Sequence, residues 1–161
     1  MITTVDKQHL QRCIALAEEA LAAGDEPFGS VLVAADGVVL REARNEVVTR
    51  DATCHPEYEL AHWAARHLSP EQRAAATVYT SGEHCPMCSA AHGWVRLGRI
   101  VYASSSAQLA SWLAEMGLDK PPVRMLPIGE IVPDQIVDGP DPELAEQVRQ
   151  LHLRLHQQAR S

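Results

Sequence analysis

The sequence predicts an α/β domain of three layers, α-β-α, in which a mixed sheet of about five strands has helices on both faces. Its 161 residues are 46% hydrophobic and 22% charged, which is typical of one domain with a real core. Short apolar runs of strand length alternate with longer segments of helical periodicity. The pair Asp36-Gly37 is a strong hairpin signal near the start, so at least one strand pair is antiparallel.

The first half of the chain predicts a helix, a hairpin and a second helix. Apolar residues recur at three- and four-residue steps over 7–23, which predicts a helix. The apolar run at about 29–35 predicts a strand, and 38–40 begins the return strand after the turn. Residues 45–54 are polar and predict a loop, whereas 56–68 again has helical spacing.

The second half of the core continues the alternation of strands and helices. Residues 77–80 and 99–102 are rich in β-branched and aromatic side chains, which predicts two strands. Residues 86–96 and 106–116 predict the helices that follow these strands. Together with the hairpin near the start, this alternation predicts that the sheet is mixed.

The last part of the chain, residues 117–161, differs in composition from the core at about 7–116. Six of the ten prolines lie in this last part, which predicts an extended, turn-rich arm with a candidate edge strand at Val123–Leu126. A final helix is predicted over about 142–157. Its predicted apolar face consists of Leu144, Val148, Leu151 and Leu155. Core and arm are interpreted together as one domain, 1–161.

Charge and composition make long nucleic acids and membranes poor partners for this chain. Lys and Arg number 14 against 21 Asp and Glu, a net charge of −7, and only Lys7 and Lys120 are lysines. Phosphate backbones favour the opposite balance, and three Trp, three Tyr and one Phe leave little for base stacking. No apolar stretch is long enough to cross a membrane, and the N-terminus lacks a secretory signal pattern. A small neutral ligand in the cytoplasm is the expectation.

Two short segments carry the residue types of a metal site. His55-Pro56-Glu57 stands at a predicted helix start, and Cys85-Pro86-Met87-Cys88 opens another predicted helix after a strand. At a helix N-terminus the Cys-x-x-Cys spacing lets both sulfurs face one point, where the helix dipole favours thiolates. Together with the imidazole of His55, they form three ligands that suit a tetrahedral Zn²⁺ whose fourth position is open to water.

Glu57 follows His55 by two residues, so it can lie beside the metal without binding it. A carboxylate there can take a proton from a zinc-activated water and pass it to a leaving group. A Cys-x-x-Cys pair alone is also found in structural zinc and redox sites, and a closed structural site would need a fourth ligand, for which His84 is nearest. The order His-x-Glu, then Cys-x-x-Cys, favours the catalytic interpretation.

On these motifs the sequence resembles the cytidine and nucleobase deaminase superfamily over about 7–116, and the small guanine deaminases in particular. Cytosine deaminases and tRNA adenosine deaminases are relatives. The shared order is Pro27-Phe28-Gly29 before an apolar strand, Asn45 before a polar loop, His55-Pro56-Glu57, and then Thr80 to Cys88. The resemblance implies a cytidine deaminase-like three-layer fold and hydrolytic deamination with one Zn²⁺ per subunit.

The resemblance also assigns roles to individual residues. It implies the zinc ligands His55, Cys85 and Cys88, the proton carrier Glu57, and the base-binding residues Phe28, Asn45 and Trp94. Ser81 and Glu83 belong to the same motif as the cysteines, and their roles stay open. His152 and His156 are four residues apart on the last predicted helix and could pair on a metal, but a solvated face is the preferred interpretation.

Two residues depart from the pattern of the resembled family. Its members usually have Pro before the first cysteine, where this chain has His84, which is expected to hydrogen-bond near the site rather than to bind the metal. They also have Ala or Gly between His and Glu, with a backbone N–H that looks like a donor to a substrate carbonyl. Pro56 has no N–H. The departure at Pro56 therefore predicts that recognition is not strictly of guanine or cytosine, and aminotriazines or modified bases are further candidate substrates.

The sequence therefore predicts a zinc-dependent hydrolytic deaminase of a free amino-substituted heterocyclic base, guanine-like or else cytosine or an aminotriazine, that releases ammonia. The alternatives are a tRNA adenosine deaminase and a non-catalytic zinc-stabilised interaction module. The resemblance also implies a homodimer. Residues 117–161 resemble the variable C-terminal region of the guanine deaminases, which can complete a neighbouring subunit's pocket, so exchange of this arm is a further hypothesis.

Overall fold

A computed structural model describes residues 1–160 as six α-helices around one five-stranded sheet. The helices are α1 (Thr4–Ala22), α2 (Pro56–His67), α3 (Pro70–Ala75), α4 (Pro86–Val95), α5 (Ser106–Glu115) and α6 (Pro142–Gln158). The strands are β1 (Gly29–Val33), β2 (Val39–Arg44), β3 (Thr77–Gly82), β4 (Ile100–Ser104) and β5 (Val137–Asp138). The predicted α/β class, with a mixed sheet of about five strands, is confirmed.

The sheet has the strand order β2-β1-β3-β4-β5. β1 pairs antiparallel with both β2 and β3, whereas β3, β4 and β5 run parallel to one another. The turn at Asp36-Gly37 makes the β1–β2 hairpin, and Gly37 has the positive φ of 88° that such a turn requires. Because α4 connects β3 to its parallel neighbour β4, the carboxyl ends of both strands meet at the same edge of the sheet.

The two faces of the sheet have separate hydrophobic cores. On one face α1, α5 and α6 enclose a cluster that includes Leu10, Val101, Trp112 and Val148. Close packing of α1 on β1 depends on Gly29, because a Cβ there would lie 2.3 Å from the Cys13 carbonyl oxygen. On the other face the cluster consists mainly of side chains from α2, β3, β4 and the segments beside them. This is the predicted three-layer arrangement.

Local sequence explains where the helices begin. Thr3 and Asp6 form a reciprocal capping box at α1, in which each side chain accepts from the other residue's backbone N–H. Ser105 caps α5 in the same way, and Asp141 accepts from the backbone of Leu144 at the start of α6. α2 and α4 instead begin with prolines, which fit the first position of a helix because its N–H has no intrahelical partner.

The arm differs from its prediction in one element. Val123–Leu126 is not a strand, and the edge strand is β5, whose Val137 pairs with Ile100. β5 is held there by Asp138, which accepts from Arg99 at 2.9 Å. The short helix α3 is an addition to the predicted elements. Across residues 1–160, no helix combines the length and apolar character needed to cross a lipid bilayer.

Candidate active site

The candidate site lies where α2 and α4 begin, next to the carboxyl end of β3. His55 and Cys85 are the residues directly before the first turns of α2 and α4, and each is followed by a proline. α2 and α4 pack against each other, so their first turns are brought together. The two sequence motifs, 28 positions apart between Glu57 and Cys85, thus become one cluster.

The three predicted metal ligands form that cluster. One donor atom from each of His55, Cys85 and Cys88 lies within 4.8 Å of the other two, and His55 Nδ1 is 3.6 Å from Cys85 Sγ. In a tetrahedral zinc site, bond lengths near 2.0 and 2.3 Å place ligand atoms about 3.6 Å apart. Two sulfurs and one imidazole nitrogen are also donors that Zn²⁺ prefers. The residues present therefore fit this ion.

The protonation of the two thiols also suits a cation. A hydrogen bond from Cys88, with help from His55, lowers the pKa of Cys85 to about 4, although burial opposes this. The hydrogen bond to Cys85, together with burial, raises the pKa of Cys88 above its usual range. The pair thus retains one proton at neutral pH. Binding of a divalent cation displaces such a proton, so both sulfurs can become ligands.

Glu57 is enclosed beside these donors. The residue is 5% exposed, and its Oε2 lies 3.7 Å from Cys88 Sγ. Thr80 donates its hydroxyl hydrogen to Glu57 Oε1 at 2.9 Å, and Ser30 in turn donates to Thr80 at 2.9 Å. Burial raises the pKa of the Glu57 carboxyl. A carboxyl with a raised pKa is suited to accept and return protons near neutral pH.

A cavity of about 550 Å³ opens beside the metal donors. His55, Glu57 and Cys85 line it on the side of α2 and α4. Its other lining residues are Glu26, Phe28, Val47, Ala52, Glu83, Met87, Leu109, Leu113, Pro121, Pro122, Val123, Met125, His152, Leu155 and His156. Most of these side chains are apolar, as expected for a small-molecule site. The arm and α6 of the same chain supply a large part of the wall.

The three predicted base-binding residues have different positions. Phe28 lines the cavity. Asn45 is fully buried behind the wall, where its Oδ1 accepts from the backbone N–H groups of Glu26 and Val47 at 3.3 and 3.0 Å. Its Nδ2 has no hydrogen-bond partner within residues 1–160, which leaves a donor unused. Base binding by Phe28 and Asn45 stays a prediction.

The resemblance predicts that Trp94 lines the pocket, but the structure places its side chain outside the cavity of its own chain. Trp94 is 88% exposed and does not line the cavity. The physical reason is its place on α4. It follows Cys88 by six residues, which turns it about 120° around the helix from the metal-facing side. The structure thus leaves a large aromatic side chain on the outer surface of α4.

Three motif residues with open roles have defined contacts. Ser81 Oγ accepts from the Gly29 backbone N–H at 3.1 Å and so joins β3 to the start of β1. Glu83 accepts from the backbone N–H of Ser106 at 2.8 Å and from that of Ile128 at 3.0 Å. It therefore fastens the arm beside the cavity. Pro56 is buried and forms the first residue of α2.

His84 lacks the hydrogen bond that was expected of it. The residue is 1% exposed, and neither ring nitrogen has a partner within the described chain. Its ring instead packs edge-on against His92, with centroids 5.3 Å apart. Burial lowers the pKa of His84 well below its usual value, so the ring is neutral. It is absent from the set of clustered metal donors within residues 1–160.

Sequence reasoning missed the contribution of α6 and of Glu26 to the cavity. His152, expected on a solvated face, is 3% exposed, so that interpretation is wrong. A signal was available, because His152 lies four residues after Val148 and three before Leu155, and these spacings share a helical face. Glu26 had no comparable signal, since it lies in an irregular turn before β1.

Comparison with known proteins agrees with this geometry. The cytidine and deoxycytidylate deaminase zinc-binding region matches residues 3–104. A guanine deaminase of Bacillus subtilis is 38% identical over 112 residues, which are 68% of this chain and 69% of that protein. The X-ray structure of guanine deaminase from Bacillus subtilis superimposes with a TM-score of 0.58 at 30% identity, covering 96% of this chain and 92% of that one.

A tRNA-specific adenosine deaminase of Agrobacterium fabrum is also similar. It is 33% identical over 89 residues, which are 53% of this chain and 59% of that protein. The family match includes both metal-binding motifs, and it extends over more than half of the chain. The chain therefore belongs to the family of cytidine and deoxycytidylate deaminases with a zinc-binding region.

Proposed function

We propose that this protein is a zinc-dependent hydrolytic deaminase that acts on a free, amino-substituted heterocyclic base and releases ammonia. The observation that carries the proposal is the position of Glu57. Its enclosed carboxyl group lies beside three donor atoms that fit zinc and also lines a largely apolar cavity. A proton carrier, a metal site and room for a ring are thus found together.

His55, Cys85 and Cys88 would hold the metal. Zinc bound there would polarise a water molecule and lower its pKa from 15.7 toward about 7. Glu57 accepts the proton that this water loses as its oxygen attacks the ring carbon bearing the amino group. Glu57 next delivers that proton to the adjacent ring nitrogen. It then takes the remaining proton from the newly attached hydroxyl group and delivers it to the amino group. The C–N bond breaks, ammonia leaves, and the carbon retains the oxygen as a carbonyl.

Thr80 and the cavity wall assist this sequence of proton transfers. The Thr80 hydroxyl contacts one oxygen of Glu57, which leaves the other oxygen to carry the proton. Burial raises the pKa of Glu57, so that the acid form is accessible after the first transfer. The apolar lining excludes competing water and gives a flat ring surfaces to pack against. Phe28 is the aromatic side chain that lines the cavity.

A free base is favoured over a nucleotide or RNA. The net charge is −7, which opposes binding to a polyanion. The similarity to guanine deaminase of Bacillus subtilis also favours a small ring as the substrate. Because Pro56 cannot donate from its backbone nitrogen, amino-substituted rings without a carbonyl, such as aminotriazines, join guanine-like bases and cytosine as candidates.

Similarity to a tRNA-specific adenosine deaminase makes tRNA editing the second candidate. The net charge of −7 opposes tRNA binding. A non-catalytic zinc module is less suitable, because burying a carboxyl group beside the metal donors destabilises a fold, and a purely structural metal site does not need that group. Gel-shift and inosine-formation measurements with tRNA separate the editing activity from deamination of free bases.

The decisive experiment is an ammonia-release screen of the zinc-loaded protein. The substrates are guanine, cytosine, adenine, their nucleosides and a set of aminotriazines. We expect release from a free base or triazine, and none from the matched Glu57→Gln protein prepared in the same way, which controls for contaminating deaminases. Zinc-loaded protein that fails on every compound would contradict the proposal and favour the module.

We propose further that two copies pair through the outer faces of α2 and α4. Trp94 of α4 and Tyr58 of α2 are exposed, at 88% and 38%, and exposed apolar surface on two helices that pack together is typical of a protein–protein contact. Exchange of the arm is not required for a complete cavity wall, since α6 packs on α1 of its own chain. Analytical ultracentrifugation of wild type and Trp94→Ala tests the pairing, and a variant that stays fully dimeric would contradict it.

A further inference from the structure

The C-terminal part of the chain builds one wall of the cavity, and that wall is mostly apolar. Leu109 and Leu113 come from α5, Pro121 to Met125 from the arm, and Leu155 from α6. Outside the metal site, the polar side chains lining the cavity within residues 1–160 are those of Glu26, Glu83, His152 and His156. Glu83 is already occupied by two backbone N–H groups. Three polar side chains therefore remain for a ligand.

His152 is the most enclosed of these three. It is 3% exposed and is held between two aromatic rings. Its ring meets Phe28 edge-on, with centroids 5.1 Å apart, and lies 6.2 Å from the ring of Trp112. Its Nε2 is buried and has no hydrogen-bond partner within residues 1–160. An imidazole is thus placed in the cavity wall with unused hydrogen-bonding capacity.

A role in packing alone does not explain a buried imidazole without a hydrogen-bond partner. A buried nitrogen without a hydrogen-bond partner destabilises a fold, and the neighbours of His152 on α6 are leucines, which fill space without that cost. Burial also lowers the pKa of His152 to about 4, so the ring is neutral at pH 7. One nitrogen of a neutral imidazole donates a hydrogen bond and the other accepts one. A ligand with either kind of group can therefore satisfy it.

We propose that His152 is a specificity-determining residue that hydrogen-bonds the edge of the heterocycle remote from the reacting amino group. This rests on the proposed function. A ring whose reacting carbon lies at Glu57 and whose face packs on Phe28 extends toward His152, because Phe28 and His152 are in edge contact. The final torsion of a histidine side chain is soft, so the imidazole can turn a nitrogen toward the ligand without movement of α6.

The ligand class follows from this contact. The favoured ring carries a nitrogen at the edge remote from its reacting amino group, as guanine does in its five-membered ring. A ring with only carbon at that edge leaves the imidazole unsatisfied, and a buried polar group without a partner rejects a ligand strongly. The arm and α6 would therefore help select the substrate, whereas α2 and α4 would perform the reaction.

The test measures binding rather than turnover. Zinc-loaded Glu57→Gln protein is titrated by calorimetry with guanine, 7-deazaguanine and 9-deazaguanine, each analogue lacking one nitrogen of the remote edge. The titrations are repeated after adding His152→Leu or His152→Gln, and Leu155→Ala is the matched control from the same wall. We expect His152→Leu to raise the Kd for guanine about 10- to 100-fold. One analogue should respond less than about 3-fold, because it already lacks the partner atom.

The other two variants, His152→Gln and Leu155→Ala, test whether the effect is specific to the hydrogen bond. His152→Gln restores an amide near the Nε2 position and should recover most of the affinity for guanine, whereas Leu155→Ala should weaken all three ligands by a similar factor. The assignment is overturned if His152→Leu weakens all three ligands equally, if it leaves guanine binding unchanged, or if Glu57→Gln protein does not bind guanine. Should His152→Leu fail to fold, the titrations of Glu57→Gln protein decide: the analogue that lacks the partner nitrogen should bind about 10- to 100-fold more weakly than guanine, and equal affinity for all three ligands would overturn the assignment.

The same titrations separate this inference from the proposed function. If guanine binding depends on His152 but wild-type protein releases no ammonia from any compound, the deaminase proposal fails and the ligand contact stands. If wild-type protein releases ammonia and His152→Leu leaves the ratio of kcat/KM values between guanine and its analogues unchanged, the deaminase proposal stands and the ligand contact fails.

Discussion

Neighbouring residues of β3 hold two buried carboxyl groups on opposite faces of the sheet. Tyr79 donates its hydroxyl hydrogen to Asp6 Oδ1 at 2.8 Å, on the side of α1. Thr80 donates to Glu57 Oε1 at 2.9 Å, on the side of α2. The two acidic residues are almost equally enclosed, at 3% and 5% exposure, so the difference between them comes from their partners.

Asp6 has a full set of strong partners. Arg99 contributes two N–H groups, at 2.8 and 3.0 Å, and the backbone of Thr3 contributes a third at 2.8 Å. Burial alone would raise the pKa of Asp6, but the bonds from Arg99, Thr3 and Tyr79 hold it well below its usual range. The carboxylate is fixed as an anion and ties the start of α1 to the start of β4.

Glu57 is left free to change its charge. Within residues 1–160 neither Lys nor Arg contacts its carboxyl group, whose partners are the Thr80 hydroxyl and the Cys88 thiol. Burial raises its pKa instead. A carboxyl that must gain and lose protons in each catalytic cycle cannot be locked by a guanidinium. Asp6 is thus held as an anion by a guanidinium, whereas Glu57, which has no such partner among residues 1–160, keeps a raised pKa.

The largest expected effect comes from Glu57. Glu57→Gln removes the proton carrier while keeping size and burial, so kcat should fall by about 10³-fold or more. Zinc content and thermal stability should remain at or above wild-type values, because an amide is easier to bury than a carboxylate. Ammonia release and metal analysis on one preparation measure both. Activity above about a tenth of wild type would contradict the assigned role.

Asp6 should give the opposite pattern. Asp6→Asn leaves Arg99 without its main partner, which should lower the free energy of unfolding by about 2–4 kcal/mol. The folded fraction should keep kcat within about twofold, since Asp6 lies on the far face of the sheet. Urea denaturation with paired activity assays measures the two quantities. A large loss of kcat with unchanged stability would break the distinction between the two faces.

The ionisation of Asp6 should make the free energy of unfolding depend on pH. The pKa of Asp6 is lower in the folded chain than in the unfolded chain, so its contribution is present above the unfolded value of about 3.9. That contribution is lost as pH falls from about 5 toward the folded pKa. Wild type should therefore lose stability in acid more steeply than Asp6→Asn, measured by urea denaturation from pH 6 to 3. Parallel curves would show that other groups dominate.

The part of the site that sequence predicted best is the part made by local geometry. His55, Glu57, Cys85 and Cys88 lie within two short motifs at helix starts. Within each motif the spacing fixes which side chains converge, and the packing of α2 on α4 brings the two motifs together. Trp94 shows the limit of matching motif positions, because its direction depends on the turn of α4 after Cys88. A rotation of about 120° from Cys88 places Trp94 outside the cavity.

The arm was harder to predict because its contacts are distant in sequence. The edge strand at β5 depends on Arg99 and Asp138, 39 positions apart, rather than on the β-propensity of Val123–Leu126. The cavity wall from α6 likewise depends on how the leucine face packs on α1. The sequence favours a solvated face for His152, whereas its spacing from Val148 and Leu155 places it on the apolar face of α6.

The smallest expected effect comes from Pro56, which distinguishes a scaffold role from a ligand role at one position. As the first residue of α2, Pro56 costs the helix no hydrogen bond, so Pro56→Ala should change stability by no more than about 1 kcal/mol. It adds one backbone N–H at the start of α2, beside the cavity. We expect kcat/KM for guanine or cytosine, which carry a carbonyl, to rise about 5-fold relative to that for an aminotriazine without one. Ammonia release from both classes by wild type and variant gives the ratio. An unchanged ratio would mean that the N–H does not reach the substrate, and that Pro56 serves only to start the helix.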